Sequence, residues 1–440
     1  MSLNTYTISD ISGIVHGDIF GADLKDMLVK ELLTDSRQLI YPANTLFFAL
    51  QGKRNNGNNY IEELYHKGVR AFVVSEHIDF HQFPEAVFII VKNSLISLQI
   101  LGSFHRRKFN LPVIGITGSN GKTIVKEWLY QLLLDDYNIV RSPKSYNSQI
   151  GVPLSVWQIK PENNLAIFEA GISEPDEMDK LQPVIQPTIG IFTNIGQAHN
   201  VNFINSGQKA GEKLKLFKHV KTLIYCTDYF DIRERIIKTE LSKSIDLFTW
   251  SKNHPASLQI KSVIKSGFST NIKAVYKNEE IGITIPFSDD ASIENSINCW
   301  CLMLYLGKGN ELISERMQNL VPVAMRLELK EGINNCSIIN DSYNSDITSL
   351  AIALDFLNQQ KQHKKKTLIL SDILQSGRSE SELYTEVAAL CKEKNIQRVI
   401  GIGKSISRHI SYFDFENEFY PDTDTFLRNI KLITFQNQSI

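Results

Sequence analysis

Residues 111–117 are a short apolar run that reads as a buried strand, and residues 123–134 place Ile124, Trp128, Leu129, Leu132 and Leu133 at helical spacing. Between them lie only the turn Gly118-Ser119-Asn120-Gly121 and Lys122. A strand that enters a helix on such a turn leaves few architectures open. The chain beyond the helix must return as a further strand of the same sheet, parallel to the first. Strand-like runs recur at residues 165–170, 188–194 and 222–226, with helical patterns between them. A series of βαβ units around a largely parallel sheet is therefore expected. Residues 256–286 alternate with polar positions, which predicts an antiparallel insertion or edge. Residues 293–306 read as a buried helix.

On the N-terminal side, residues 45–50 and 71–75 are strand-like and residues 60–67 helical. On the C-terminal side, runs at 336–339, 367–370 and 399–402 are each followed by a helical pattern, at 348–357, 380–391 and 405–410. The expected class is α/β with three domains. These are a small mixed α/β N-terminal domain over 1–108, a central P-loop ATPase-like parallel sheet over 109–322 and a C-terminal Rossmann-like α/β domain over 323–440. The length of 440 residues agrees, since domains run to roughly 100–200 residues each.

Charge excludes one class of partner. Lys and Arg total 47 against 48 Asp and Glu, so nothing points to a polyanion, and no nucleic acid is expected. No apolar run approaches the roughly 18 residues needed to cross a bilayer. Residues 1–20 lack a basic start followed by an apolar run, which argues against a secretory signal. The five cysteines are odd in number and show no zinc-type spacing, as reduced core thiols of a cytoplasmic protein would.

The turn carries the chemistry. Gly115-Ile116-Thr117-Gly118-Ser119-Asn120-Gly121-Lys122-Thr123 stands between strand and helix, where a phosphate loop stands. Glycines let backbone N–H groups approach phosphate oxygens, and the helix N-terminus adds partial positive charge. Lys122 can reach the β- and γ-phosphates, and the Thr123 hydroxyl can ligate magnesium. The general pattern has glycine where this chain has Ile116, so the spacing is the shorter G-x-x-G-K-T. Glu169 closes a strand-like run. A carboxylate at the C-terminal end of a parallel strand faces the crevice where such sheets bind ligands.

The segment Thr117-Gly118-Ser119-Asn120-Gly121-Lys122-Thr123 is similar to the nucleotide loop of the Mur ligases, the amide-bond-forming enzymes of bacterial cell-wall synthesis. Other segments resemble that family in the same order: Thr34-Asp35-Ser36-Arg37, Leu46-Phe47-Phe48-Ala49-Leu50-Gln51-Gly52 and Asn147-Ser148-Gln149-Ile150-Gly151-Val152-Pro153. Glu169-Ala170-Gly171, Thr193-Asn194-Ile195-Gly196 with Ala198-His199, Asn295, and Asp341-Ser342-Tyr343-Asn344 follow. Each motif alone is weak to moderate; their order and spacing together are specific.

The resemblance implies an ATP-dependent ligase. ATP would phosphorylate a peptide's terminal carboxylate, and an incoming amine would attack the acyl phosphate. Asp341-Ser342-Tyr343-Asn344 is most similar to members that join D-alanyl-D-alanine to UDP-N-acetylmuramoyl-tripeptide, so the implied partners are UDP-N-acetylmuramoyl-peptide and D-alanyl-D-alanine. The implied cofactors are ATP and Mg²⁺. By the same resemblance Lys122, His199 and Lys213 are catalytic, and Thr123, Glu169, His199 and a carbamylated Lys213 hold the metal. Gly118, Ser119, Asn120, Gly121, Lys122, Thr123, Asn295, Arg326 and Asp341 bind ATP, Asn295 at the adenine. Ser36 and Arg37 meet the uridine nucleotide, and Asn147, Tyr343 and Asn344 face substrate. Lys215 stands where the family has an acidic residue, and Asn56-Gly57-Asn58-Asn59-Tyr60 departs from the acidic, His-containing family version. Another Mur ligase, a folylpolyglutamate-synthase-like ligase and a non-catalytic Mur-like nucleotide-binding scaffold are the alternatives. Asp35-Ser36-Arg37 favours Mur substrates, and the joint presence of Lys122, Thr123, Glu169 and His199 favours catalysis. Residues 434–440 would lead into or begin the family's last strand. The C-terminal domain is therefore expected to be truncated, the chain a fragment of a longer protein, with a C-terminal fusion to alanine racemase as a candidate continuation.

Overall fold

The computed structural model describes residues 6–52, 55–76, 78–196, 202–239, 241–324, 327–342, 346–359, 362–374 and 378–440. Three α/β units follow one another along the chain, each built on its own sheet.

The first sheet has five strands in the order Asp18–Gly21, Val87–Ile90, Ala71–Val74, Thr45–Phe48, Glu31–Leu33. Only Asp18–Gly21 runs antiparallel. Thr45–Phe48 and Ala71–Val74 are buried throughout, which explains why they read as continuous apolar runs. The expected helix appears as Ile61–His66. Two further helices, Ile8–Val15 and Ser94–Arg107, escape the sequence reading. The second escapes because its buried face carries Gln99, His105 and Arg106 rather than an apolar stripe. Arg106 Nε donates to Ile185 O at 3.0 Å and an Nη to Gln186 O at 3.2 Å. It thereby satisfies open carbonyls at the end of Glu177–Ile185. One buried guanidinium thus fastens the first unit to the second.

The central sheet has nine strands in the order Glu279–Ile285, Ser269–Tyr276, Leu258–Ser266, Asp246–Ser251, Thr222–Cys226, Ile189–Phe192, Val113–Thr117, Leu165–Glu169, Ile139–Arg141. Pairing is parallel from Ile139–Arg141 across to Leu258–Ser266. The last two strands add antiparallel, the edge that the alternation at 256–286 predicts. Ile139–Arg141 and Asp246–Ser251 are not evident in the sequence; the first is three residues long. Val113–Thr117 lies between Ile189–Phe192 and Leu165–Glu169. The turn that follows it therefore emerges from the middle of the sheet, with other strand ends beside it. Ile116 is fully buried within that strand, so no loop glycine is needed there and the loop is the shorter one. The helix Asp290–Tyr305 is started by Asp289, whose side chain accepts Ser292 N at 2.7 Å.

The third sheet runs Glu328–Gly332, Cys336–Asn340, Gln438–Ser439, Lys365–Ser371, Arg398–Ile402, Glu416–Tyr420. Glu328–Gly332 is antiparallel to its neighbour and the other pairings are parallel. Gln438–Ser439 sits in the interior of this sheet, between Cys336–Asn340 and Lys365–Ser371. Among the described residues no helix is long and apolar enough to cross a membrane. All five cysteines are buried free thiols.

Candidate active site

The loop after Val113–Thr117 is shaped by two glycines in the left-handed region. Gly118 has φ 151° and Gly121 φ 81°. A Cβ at Gly118 would meet Thr193 Oγ1, and one at Gly121 would stand 2.2 Å from Asn295 Oδ1. Glycine is required at both positions by space as well as by backbone angle. Gly121 caps the helix Lys122–Leu133, so the loop ends on a helix N-terminus.

A second segment straps the loop in place. Ser119 N donates to Asn194 O at 3.0 Å, Asn120 N to Asn194 Oδ1 at 2.9 Å, and Thr193 Oγ1 to Asn120 O at 2.6 Å. Gly196 N donates to Ser119 Oγ at 2.9 Å. Thr193-Asn194-Ile195-Gly196 therefore buttresses the loop from the next strand end. Lys122 Nζ folds back to Gly118 O at 2.9 Å and Ser119 O at 3.0 Å. Its ammonium is thus held by the loop's own carbonyls.

Behind the loop lies a buried carboxylate. Glu169 ends Leu165–Glu169 and is fully buried. Thr123 Oγ1 lies 3.0 Å from its Oε2, Asn147 Nδ2 donates to Oε2 at 3.3 Å, and Lys126 Nζ lies 3.2 Å from Oε1. Ser145 Oγ is 2.8 Å from Thr123 Oγ1. A hydroxyl and a carboxylate converging beside a phosphate loop are hard oxygen donors of the kind Mg²⁺ takes.

The third component comes from Ser206–Leu214. Lys213 is buried and its Nζ donates to Gly118 O at 3.0 Å. Burial first, then the charges of Lys122 and Lys209, hold its pKa well below the usual lysine range. Lys209, one turn earlier on the same face, is buried too and reaches Gly196 O at 2.5 Å. Its pKa is pushed down to about 8 by burial and by Lys122, with Asp346 acting in the opposite sense. Lys215 points elsewhere, into Asp176, Asp179 and Glu212 at 3.2, 2.7 and 2.8 Å. Those carboxylates hold its pKa above the usual value.

One cavity of about 620 Å³ is lined by the loop, Asn147, Lys213, Asn295 and Asp341. Asn295 lies on Asp290–Tyr305 and packs against Gly121. Asp341 comes from the third unit and accepts Leu327 N at 3.3 Å. Ser36 and Arg37 are not in this cavity. Ser36 is buried in a short turn capped by Asp35, and Arg37 is exposed and paired with Asp35 at 2.7 Å. That turn still touches the central unit: Tyr146 OH, next to Asn147, donates to Gln38 Oε1 at 3.1 Å. His199, Arg326, Tyr343 and Asn344 lie outside the described residues.

Four contributors are absent from the sequence reading: Lys126, Ser145, Lys209 and the pair Tyr229–Glu294, whose hydroxyl and carboxylate meet at 2.6 Å at the cavity wall. Two had a signal. Lys126 is a charged residue between the apolar Val125 and Trp128, and Lys209 precedes Lys213 by the four residues that stack side chains on one helix face.

The sequence profile of the Mur ligase middle domain matches residues 116–303, and that of the Mur ligase, glutamate ligase domain matches residues 325–434. A UDP-N-acetylmuramoyl-tripeptide–D-alanyl-D-alanine ligase of Bacillus subtilis (strain 168) is 28% identical over 401 residues, 90% of this chain and 85% of its own length. The Escherichia coli (strain K12) protein of the same name is 24% identical over 435 residues, 99% of this chain and 94% of its own. A crystal structure of MurF from Acinetobacter baumannii superposes with a TM-score of 0.81 at 22% identity, covering 100% of this chain and 95% of that one. MurF ligase from Thermotoga maritima in complex with ADP superposes with a TM-score of 0.73 at 19% identity, covering 93% and 92%. The names of these relatives carry a ligase and nothing more, so they lend no support to the expected racemase fusion.

Proposed function

This chain belongs to the Mur ligase family, and from that premise we propose that it is the ATP-dependent ligase that joins D-alanyl-D-alanine to UDP-N-acetylmuramoyl-tripeptide in the cytoplasm. The observation that carries the reading is that the phosphate loop, Lys213, Asn295 and Asp341 meet in one cavity.

The chemistry joins two anions before it joins two substrates. The tripeptide's terminal carboxylate attacks the γ-phosphorus of ATP, giving an acyl phosphate and ADP. The amine of D-alanyl-D-alanine then attacks the acyl carbon, and inorganic phosphate leaves as the amide forms. The first step needs positive charge on the transferring group, and the work falls on preorganised cations and N–H donors. The loop's backbone and the N-terminus of Lys122–Leu133 face the phosphates. Lys122 turns from its two carbonyls to the β- and γ-oxygens. Asn295 offers an amide donor and acceptor to adenine.

Mg²⁺, when bound, supplies charge neutralisation at the phosphate oxygens. Thr123 and Glu169 would hold it, together with His199. Lys213 fits a third role. An ammonium would be repelled from that place, but burial and two neighbouring lysines favour its neutral amine. The amine can add CO₂ and present a carbamate, an anionic oxygen donor. Ser36 and Arg37 would meet the uridine nucleotide on the first unit, and Arg326, Tyr343 and Asn344 would act from the third.

The test is phosphate release with UDP-N-acetylmuramoyl-tripeptide and ATP. Release should require D-alanyl-D-alanine. Release with a shorter peptide and a single amino acid, and none with the tripeptide, would assign the chain to a different step.

A further inference from the structure

Lys126 takes no part in the chemistry above, yet it is fully buried beside it. It lies three residues after Thr123 on Lys122–Leu133, so both side chains leave one face of the helix. Its Nζ donates to Ser142 O at 2.7 Å and to Lys144 O, and lies 3.2 Å from Glu169 Oε1 and 3.1 Å from Glu127 Oε1. The segment it holds is bent: Lys144 has φ 50°, unusual for a residue with a side chain. That segment delivers Ser145 to Thr123 and Asn147 to Glu169.

The two oxygens of Glu169 are therefore unequal. Oε1 is the one that faces the Lys126 ammonium. Oε2 is the nearer to Thr123, at 3.0 Å against 3.3 Å for Oε1, and it also takes Asn147. An ammonium held on one carboxylate oxygen keeps that oxygen from a metal and stops the group from rotating. Ca²⁺ accepts two-oxygen carboxylate ligation and six to eight donors, whereas Mg²⁺ demands a tight octahedron in which each carboxylate gives one oxygen.

We infer that Lys126 is a positioning residue that restricts Glu169 to one-oxygen ligation and thereby selects Mg²⁺ over Ca²⁺. The inference rests on the proposed metal role of Glu169. Removing Lys126 frees Oε1, lets Glu169 turn, and opens the site to the larger ion.

The experiment uses the full chain with ADP. Bound Mn²⁺ is read by electron paramagnetic resonance and displaced with Mg²⁺ or with Ca²⁺, in the unaltered protein and in Lys126→Met and Lys126→Gln. The glutamine variant keeps a donor for Ser142 O in case the methionine variant does not fold. The ratio of the two displacement constants should move toward Ca²⁺ by about tenfold, the scale on which groups supporting metal ligands act. A folded variant with an unchanged ratio overturns the inference. Glu169→Gln separates the two layers: if it leaves Mn²⁺ binding intact, the metal role of Glu169 fails. If it weakens binding while both Lys126 variants keep the original ratio, only the selectivity role fails.

Discussion

Adding one methyl group at Gly121 tests how the loop and the proposed base contact depend on each other. In Gly121→Ala the new Cβ would stand 2.2 Å from Asn295 Oδ1 and 3.0 Å from its Cγ, on a backbone with φ 81°. Two costs follow. Holding alanine in the left-handed region costs about 1 kcal/mol. Displacing a buried amide from the partner it should hold costs about 1–3 kcal/mol more. Together these remove about 2–4 kcal/mol from nucleotide binding, or roughly 30- to 700-fold in Kd. The two costs separate in a double-mutant cycle, with ADP affinity measured by titration calorimetry. Asn295→Ala removes the side chain that the methyl strikes. In that background Gly121→Ala should cost only the backbone strain, about fivefold. If the two single losses simply add, to within about 0.5 kcal/mol, then Gly121 is not glycine on account of Asn295 and the reasoning is wrong.

Three further outcomes are expected. Lys122→Ala should abolish ligase turnover while leaving the unfolding transition in place, because its charge contributes several kcal/mol to the transferring phosphoryl group; near-normal phosphate release would refute it. Lys213→Ala should lose activity and recover part of it with an added short carboxylic acid, whereas Lys215→Ala should stay active because its partners are surface carboxylates; the opposite pattern would move the carbamate to Lys215. Lys209 should make stability rise with pH. Its folded pKa of about 8 lies below the usual lysine value of 10.5, so between those values the unfolded chain binds the extra proton and the folded state gains as pH rises. At pH 7 the penalty is about 3 kcal/mol, offset by about 1 kcal/mol for the bond to Gly196 O. Denaturant unfolding at pH 7 and pH 10 should show Lys209→Met stabilised by about 2 kcal/mol at the lower pH only; an equal pH slope in both proteins contradicts this.

Local signals sufficed for much of this protein. The strand, glycine turn and helix at 111–134, the strand end at Glu169 and the βαβ alternation on both sides are nearest-neighbour patterns, written by burial and backbone freedom within a few residues. The glycine loop needed nothing more. What faces that loop is another matter. Lys213 reaches Gly118 O from 95 positions away. Lys126 matters only because Glu169 is brought to it from 43 positions away. Ser94–Arg107 hides its role because it buries an arginine that only a neighbouring helix end makes tolerable. The contrast between Lys213 and Lys215 is the sharpest. Both are lysines in one short helical stretch, and composition cannot rank them. Two residues on a helix are turned by about 200° from each other, so when one is buried against the phosphate loop the other must face outward. The helical period made the two lysines alternatives, and the packing of Ser206–Leu214 against the central sheet decided which of them was buried beside Gly118 with its pKa held low.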